Sequence, residues 1–199
     1  MALPAVAEPG ILPTEMELLA STETSVRILP LVSVDRVRLL TGTYGPFRPP
    51  SHAQVPLWLA IHLRRRQKCV IIPPEWLSVD NLTALVHQES TSPAFAPVPL
   101  HYLAVSKMLL EQYVYADSAA DDIPGAAKAR ALLKDLREMR QSKVLTGLAS
   151  LNGVHIEMTN ISSLEIAELR PFFSTAVKNL QDIQRSDDAT QASGTSSFA

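Results

Sequence analysis

A cluster of basic residues is the sharpest chemical feature of this sequence. Arg64, Arg65 and Arg66 follow one another directly, and Lys68 comes two positions later. A guanidinium binds a carboxylate or a phosphate through two parallel hydrogen bonds, so the cluster suits an ion-paired protein interface or a phosphate-contacting patch. A solvated rim at a helix end is the third interpretation. No aromatic array is interleaved with the cluster, which weakens the single-strand-binding interpretation, and the three alternatives stay open.

Nucleophilic and metal chemistry find little support in the residue spacing. The one cysteine, Cys69, sits in the apolar run KCVII, where a thiol is usually an inert small hydrophobe. The five histidines are scattered and lack the close spacing of zinc or iron sites. The neighbouring carboxylates Asp121 and Asp122 suit a solvated loop before a helix better than a catalytic pair. The seven glycines form neither a dinucleotide-binding loop nor a P-loop. We therefore expect no catalytic residue, no cofactor and no metal.

The composition predicts a folded protein in a reducing compartment. Of the 199 residues, 46% are hydrophobic and 19% are charged, which favours a packed core over a disordered chain. The formal net charge of −2 argues against a protein that mainly coats nucleic acid, but it allows a local basic patch. No apolar run approaches the roughly 18 residues of a membrane span, and the first residues show no secretory signal pattern. We expect an intracellular protein that does not contact membranes.

Local patterns change from strands to helices near Pro73–Ser78. Period-two alternation in VRILP and DRVRL predicts strands with one buried face, and CVII predicts a strand covered on both faces. Helical patterns follow, the longest over AKARALLKDLREMRQSKVLTGLA. The predicted fold is α+β, mostly α. Its parts are a flexible N-terminus over 1–13, a small β-rich domain over 14–75, a larger helical domain over 76–185 with a variable insertion at 113–122, and a disordered tail over 186–199.

Three helix starts can be placed from capping patterns. Thr14 and Glu17 have the spacing of a capping box, and so do Ser162 and Glu165. Pro171 suits the first turn of a last helix, because its missing N–H is not needed there. We therefore predict a short helix after residue 14, another after residue 162, and a final one from residue 171.

The segment PLWLAIHL, residues 56–63, predicts a helix that is apolar on every side. Such a helix is buried, so we expect it to lie between its own strands and a second surface, either the helical domain or a partner subunit. The chain has two tryptophans, Trp58 inside this segment and Trp76 after the double proline. Both suit core packing or an interface hot spot, and the sequence does not separate these uses. The expected partner-interface residues come from this helix, the basic cluster and the stripe of the longest helix. They are Trp58, Ile61, Arg64, Arg65, Arg66, Lys68, Trp76, Leu132, Leu136 and Met139.

The run from Leu40 to Leu82 closely resembles the second subunit of the eukaryotic GINS family. The elements that carry the resemblance are Gly45-Pro46-Phe47, VPLWLAI over 55–61, RQKC over 66–69 and PPEW over 73–76. The segments MELLA and DIPGAAKARALLKDLREMRQSK are similar to the family more loosely.

This resemblance implies a heterotetramer of four related subunits. It implies the Mcm helicase hexamer and a RecJ-like helicase cofactor as further partners, in the replicative helicase assembly of the nucleus. It also implies a β-rich B-domain that precedes the helical A-domain, a permuted order for the family, and no known catalytic residue. A weak DNA contact stays open. The competing interpretation is a stand-alone nucleic-acid-binding module that uses the basic cluster from Arg64 to Lys68.

Overall fold

The computed structural model describes residues 11–112, 125–148 and 159–195, with residues 112, 148 and 180–195 described by their backbone alone. The β-rich part of the chain precedes the helical part, as predicted, and the fold is α+β and mostly α. The elements in chain order are helix α1 Pro13–Glu23, strands β1 Ser25–Pro30, β2 Val37–Leu39, β3 Gly42–Tyr44 and β4 Ala53–Pro56, helix α2 Leu57–Arg65, strand β5 Cys69–Ile72, a 3-10 turn Glu75–Leu77, and helices α3 Val79–Thr91, α4 Tyr102–Gln112, α5 Ala126–Leu148 and α6 Ser163–Thr195.

Strand β1 forms the centre of a three-stranded antiparallel sheet. β4 and β5 pair on its two sides, with Val26 opposite Val55 and Ile28 opposite Ile71. Val26 and Ile28 are buried and Arg27 between them is exposed, so the predicted alternation is confirmed for this strand. The buried face belongs to one continuous core, which extends from the sheet into helices α3, α4 and α5.

Strands β2 and β3 form a separate antiparallel ribbon. Val37 and Leu39 are 39% and 37% exposed, so the prediction that this alternation marks a buried face is wrong. The reason is topological, because the ribbon pairs only with itself and no third strand among the described residues pairs with it. Mutual backbone hydrogen bonds between Val34 and Phe47 hold its base, at 3.0 and 2.8 Å. Gly45 adopts φ 94° before this pair, a conformation that favours glycine.

Helix α2 is buried on part of its circumference rather than all of it. Leu57, Leu59 and Ala60 are buried, whereas Trp58 and Ile61 are half-buried. The helix packs against the sheet, α1 and α4, so its second surface includes a helix of the helical part of the chain. The expectation that it lies between its own strands and a further layer is confirmed on that side. The side with Trp58 and Ile61 faces a groove instead.

The capping predictions have mixed outcomes. The Ser162–Glu165 box is confirmed, because the Ser162 N–H donates to the Glu165 carboxylate at 2.9 Å. The Thr14–Glu17 box is wrong, because the N-cap of α1 is Leu12, two residues before Thr14, and Glu15 accepts the Leu12 N–H at 3.0 Å.

The last helix also differs from its predicted bounds. Pro171 lies inside the continuous helix α6 rather than starting a new one. A proline removes one backbone hydrogen bond, and the neighbouring turns continue around it. The helix extends to Thr195, so the backbone of residues 186–195 is helical where the composition predicts a disordered tail. Residues 186–195 contain no proline, and their alanines and glutamine tolerate a helix.

Several predicted features lie outside the described residues. They are the first ten residues of the flexible N-terminus, the whole 113–122 insertion with its loop carboxylates Asp121 and Asp122, and the last four residues of the tail. Within the described part of the chain, every helix is too short or too polar to span a bilayer.

Candidate protein-interaction surface

A groove of about 470 Å³ opens between the β2–β3 ribbon and helix α2. We refer to it as the ribbon groove. It brings together five of the ten residues predicted at a partner interface. Its lining residues are Val34, Val37, Leu39, Tyr44, Phe47, Trp58, Leu59, Ile61, His62, Leu63, Arg65, Arg66 and Lys68.

The two walls of the ribbon groove are apolar because of the periods of their elements. Val37 and Leu39 are two positions apart on a strand, so both side chains lie on one face of the ribbon. Trp58 and Ile61 are three positions apart on α2 and share one side of that helix. The ring of Tyr44 meets the Trp58 ring edge to face, with centroids 6.4 Å apart and planes at 87°. This contact fixes the orientation of the indole at the groove wall.

The basic end of the groove is built by the end of helix α2. The helix stops at Arg65, and Gln67 adopts φ 56°, in the left-handed region that residues with side chains seldom use. The chain then reverses, because the Lys68 N–H donates to the Leu63 carbonyl at 3.0 Å. This reversal places Lys68 beside Arg65 and Arg66 in the groove lining.

The groove lies in the most basic part of the sequence. Residues 34–68 contain seven arginines and lysines and a single aspartate, a local balance of +6 within a chain of net charge −2. Among the described residues that line the groove, none carries a carboxylate. The surface potential there is therefore positive, and it favours an acidic partner.

Arg64 belongs to the basic cluster but not to the groove lining. It is half-buried, and its charge acts on the Cys69 thiol. Burial raises the pKa of that thiol to about 11, and the nearby positive charge of Arg64 offsets only part of this rise. The Cys69 thiol is buried and lies 3.8 Å from the Ala60 carbonyl. It is an inert core thiol rather than a nucleophile.

The other predicted interface residues lie elsewhere. Trp76 lines a second groove of about 770 Å³ between the sheet and α3, where Arg27 forms an exposed ion pair with Glu75 at 3.4 Å. On α5, Leu132 and Met139 are half-buried. Leu136 is 0% exposed and belongs to the chain's own core, so its prediction as a partner contact is wrong.

The structure also contains a buried ionic cluster that the sequence does not reveal. Arg140 of α5 is 1% exposed and lies between Glu89 of α3 and Glu165 of α6. Lys143 completes the cluster, with its ammonium 2.7 Å from Glu89 Oε1 in an ion pair rather than a directed hydrogen bond. The four charges sum to zero, which makes their burial tolerable. The cluster is closed to solvent on the Arg140 side and therefore joins helices rather than binding a ligand.

The pKa of Glu165 reflects a competition within this cluster. Burial raises that pKa, but hydrogen bonds from Arg140 and Ser162 outweigh burial and bring it below its ordinary value. Burial likewise opposes the charge of Arg140, and the Glu165 carboxylate more than compensates and raises the pKa of the guanidinium. One signal could have revealed the buried arginine. Arg140 continues the 4-3-4 spacing of the buried residues Ala129, Leu133 and Leu136.

No metal centre is apparent in the part of the chain that the structure describes. Over residues 11–112, 125–148 and 159–179, no three histidine, cysteine, aspartate or glutamate side chains converge as metal ligands.

Two family models match consecutive parts of the chain. The model of the PSF2 N-terminal domain matches residues 12–72, and that of the GINS complex protein helical bundle domain matches residues 76–184. The chain belongs to the PSF2 family of GINS proteins. The two matches meet at residues 73–75, where the sheet gives way to the 3-10 turn and helix α3.

Curated members of the PSF2 family are similar over nearly their whole length. The DNA replication complex GINS protein psf2 of Schizosaccharomyces pombe is 35% identical, over 92% of this chain and 96% of that protein. The DNA replication complex GINS protein PSF2 of Xenopus laevis is 37% identical, over 87% and 92%. The Homo sapiens protein of the same name is 34% identical, over 85% and 90%.

This PSF2-family chain also exposes large apolar side chains on three helices. Leu18 and Leu19 lie on α1, Leu145 lies on α5, and Ile166 and Phe172 lie on α6. Single exposed apolar residues are common on monomeric proteins, but sets of them along helix faces mark contact surfaces. These helix faces and the ribbon groove are therefore separate candidate contact surfaces.

Proposed function

We propose that this chain is the PSF2-type subunit of a four-subunit GINS complex and acts as a non-catalytic structural subunit in DNA replication. The observation that carries the proposal is the exposure of large apolar side chains on α1, α5 and α6. Membership of the PSF2 family supports it, and so do the names of the relatives, which are DNA replication complex GINS proteins.

The exposed helix faces suit permanent subunits better than transient partners. Obligate interfaces bury about 1,000–2,500 Å² on each partner and are more apolar than the rest of a surface. Leu18 and Phe172 are more than half exposed and lie on different helices. Half-buried Leu132 and Met139 on α5 extend the set of apolar residues available for contact. The three other GINS subunits are the proposed partners at these faces.

The wider role follows from the family rather than from any contact in this chain. As a GINS subunit, the protein acts in the nucleus, where the complex joins the Mcm hexamer and a RecJ-like cofactor. It is needed there for assembly and activity of the replicative helicase, during initiation and elongation. The closed ionic cluster and the inert Cys69 thiol fit a subunit that positions partners and transforms no substrate.

Co-expression with the three other subunits tests the proposal. We expect the four chains to elute together as one species of equal stoichiometry, and we expect the lone chain to aggregate because its apolar helix faces stay uncovered. A monodisperse lone chain that fails to co-elute with the other three would overturn the proposal.

A stand-alone nucleic-acid-binding module is the second candidate, and the local charge balance of +6 over residues 34–68 favours it. Such a module needs rings for base stacking, yet Trp58 is half-buried and packed against Tyr44. A lone chain that binds DNA with a steep salt dependence would support this candidate, and a weak DNA contact of the assembled complex would show a shallow one.

A further inference from the structure

We propose that the ribbon groove binds a short acidic segment of a protein outside the four-subunit complex, with one large apolar side chain of that segment seated between β2 and α2. The inference rests on the proposed function in one respect, which is that the four-subunit complex is the form of the protein used in the test. The exposed helix faces belong to the other subunits under that proposal, and the ribbon groove is a separate surface.

The apolar walls define the anchor of this segment. The volume of about 470 Å³ lies at the lower end of the range of roughly 300–1,000 Å³ in which proteins hold small ligands. It accommodates a few side chains rather than a domain face. Val37 and Leu39 are exposed and Trp58 and Ile61 are half-buried, so this chain covers the four side chains only in part. An aromatic or leucine side chain would cover all four.

The charges define the rest of the segment. Arg66 and Lys68 line one end of the groove, and none of the described lining residues carries a carboxylate that could pair with them. Arg65 adds a third positive charge to this end of the groove. The second groove differs, because Arg27 there already lies 3.4 Å from Glu75. Aspartate and glutamate side chains that flank the apolar anchor would meet the cations of Arg66 and Lys68, and a guanidinium group binds a carboxylate in two places at once.

A peptide fits the groove better than a nucleic acid does. A nucleic-acid strand needs cations along its whole track and ring faces on which bases stack. Here the cations occupy one end, and the walls are Val37, Leu39, Trp58 and Ile61. Phosphates placed against these walls would lose water without gaining a partner.

Charge also favours a reversible partner over a permanent subunit. Lysine and other charged residues are depleted in the cores of permanent interfaces. A rim of three cations instead speeds the encounter with an oppositely charged partner and makes binding sensitive to salt.

Selection of short random peptides displayed on phage, against the assembled complex, tests the inference. We expect the selected peptides to share acidic residues around one aromatic or leucine residue. A synthetic, fluorescein-labelled copy of the selected peptide then serves as the probe in polarisation measurements. The charge reversal R66E/K68E should weaken its binding by roughly 10-fold or more at low salt, and less at high salt. The variant L39E, at an exposed position, should weaken binding as well.

The matched control is K128E/K178E, which makes the same change in net charge at two exposed positions outside the groove. We expect it to leave peptide binding unchanged, and we expect all three variants to assemble with the other subunits.

Three results would overturn the inference. They are a selection that yields no acidic consensus, peptide binding that resists both R66E/K68E and L39E, and binding of a single-stranded DNA probe that depends on Arg66 and Lys68 while the peptide does not bind. Failure of the complex to assemble would instead count against the proposed function. In that case the polarisation measurement with the labelled peptide is repeated on the full chain alone, and its result decides the inference.

Discussion

Arg140 donates two parallel hydrogen bonds to the carboxylate of Glu165, from Nε to Oε1 at 2.8 Å and from Nη2 to Oε2 at 2.9 Å. The same guanidinium donates to Glu89 Oε2 at 3.3 Å. One side chain of α5 therefore connects to both α3 and α6, and it does so without access to solvent. A buried charge with two carboxylate partners is costly to leave unpaired, so this contact controls how the helical part of the chain is held together.

Removal of the Arg140 guanidinium should destabilise the fold strongly. The variant R140M leaves Glu89 and Glu165 buried with too few partners, and we expect a loss of about 3–5 kcal/mol in the free energy of unfolding. The matched control is R137M on the same helix, whose exposed ion pair with Glu168 at 2.7 Å is worth at most about 1 kcal/mol. Chemical unfolding followed by circular dichroism, with both variants prepared in the same complex, measures the difference. Equal losses would show that the cluster has no special role.

Acid should weaken the fold through Glu165. The pKa of Glu165 in the folded chain lies below its ordinary value, so the unfolded chain binds the proton more readily. The ionised carboxylate therefore contributes stability above the unfolded pKa of about 4.3, and this contribution is lost as the pH falls through the folded value. We expect E165Q to be less stable than the native protein near neutral pH, with a gap that narrows in acid. Unfolding curves from neutral to acidic pH check this, and parallel pH profiles would contradict it.

Sequence patterns predict much of this fold but not its ionic cluster. Alternation identifies β1, and the spacing of Ser162 and Glu165 identifies the start of α6, because both signals are local. The partners of Arg140 lie 51 positions away at Glu89 and 25 positions away at Glu165. Only the packing of three helices brings these residues together. Considered as sequence alone, the segment REMRQSK is typical of a solvated helix face.

Cys69 should resist thiol reagents while the protein is folded. Its pKa of about 11 leaves little thiolate near pH 8, and the side chain is buried against α2. We expect slow labelling of the Cys69 peptide in the native complex and rapid labelling in denaturant, both followed by mass spectrometry. Rapid native labelling would mean that β5 separates readily from α2.

The ribbon illustrates a second limit of sequence reasoning. The alternation of Val37 and Leu39 correctly predicts a strand, but it cannot reveal which layer covers its apolar face. In this chain that face lines a groove beside Trp58 and Ile61 instead of the core. A pattern of alternation reports amphipathicity, and the covering layer depends on topology.

His101 should hold α1 against the start of α6. Its Nε2 lies 2.9 Å from Glu23 Oε2, and its Nδ1 lies 2.7 Å from Ser163 Oγ. The variant H101A loses both contacts, and we expect a cost of about 1–3 kcal/mol. Hydrogen exchange should rise in the amides of α1 and the first turn of α6. The control H87A, at an exposed position of α3, should change stability by no more than about 0.5 kcal/mol. Unchanged exchange in H101A would exclude a positioning role for the imidazole.

Phe172 tests whether the apolar face of α6 contacts another subunit. Its ring is 54% exposed and lies edge to face with the ring of the adjacent Phe173, with centroids 6.1 Å apart. The variant F172E places a charge on this face without disturbing the core, so the chain should still fold. A charge buried without a partner at an interface is costly, and we expect recovery of the other three subunits in a pull-down to fall by about 10-fold or more. The variant S174E adds the same charge to an exposed position of the same helix and should leave recovery unchanged. Equal recovery with both variants would show that the other subunits do not bind this face, and the contact would then have to be sought on α1, around Leu18.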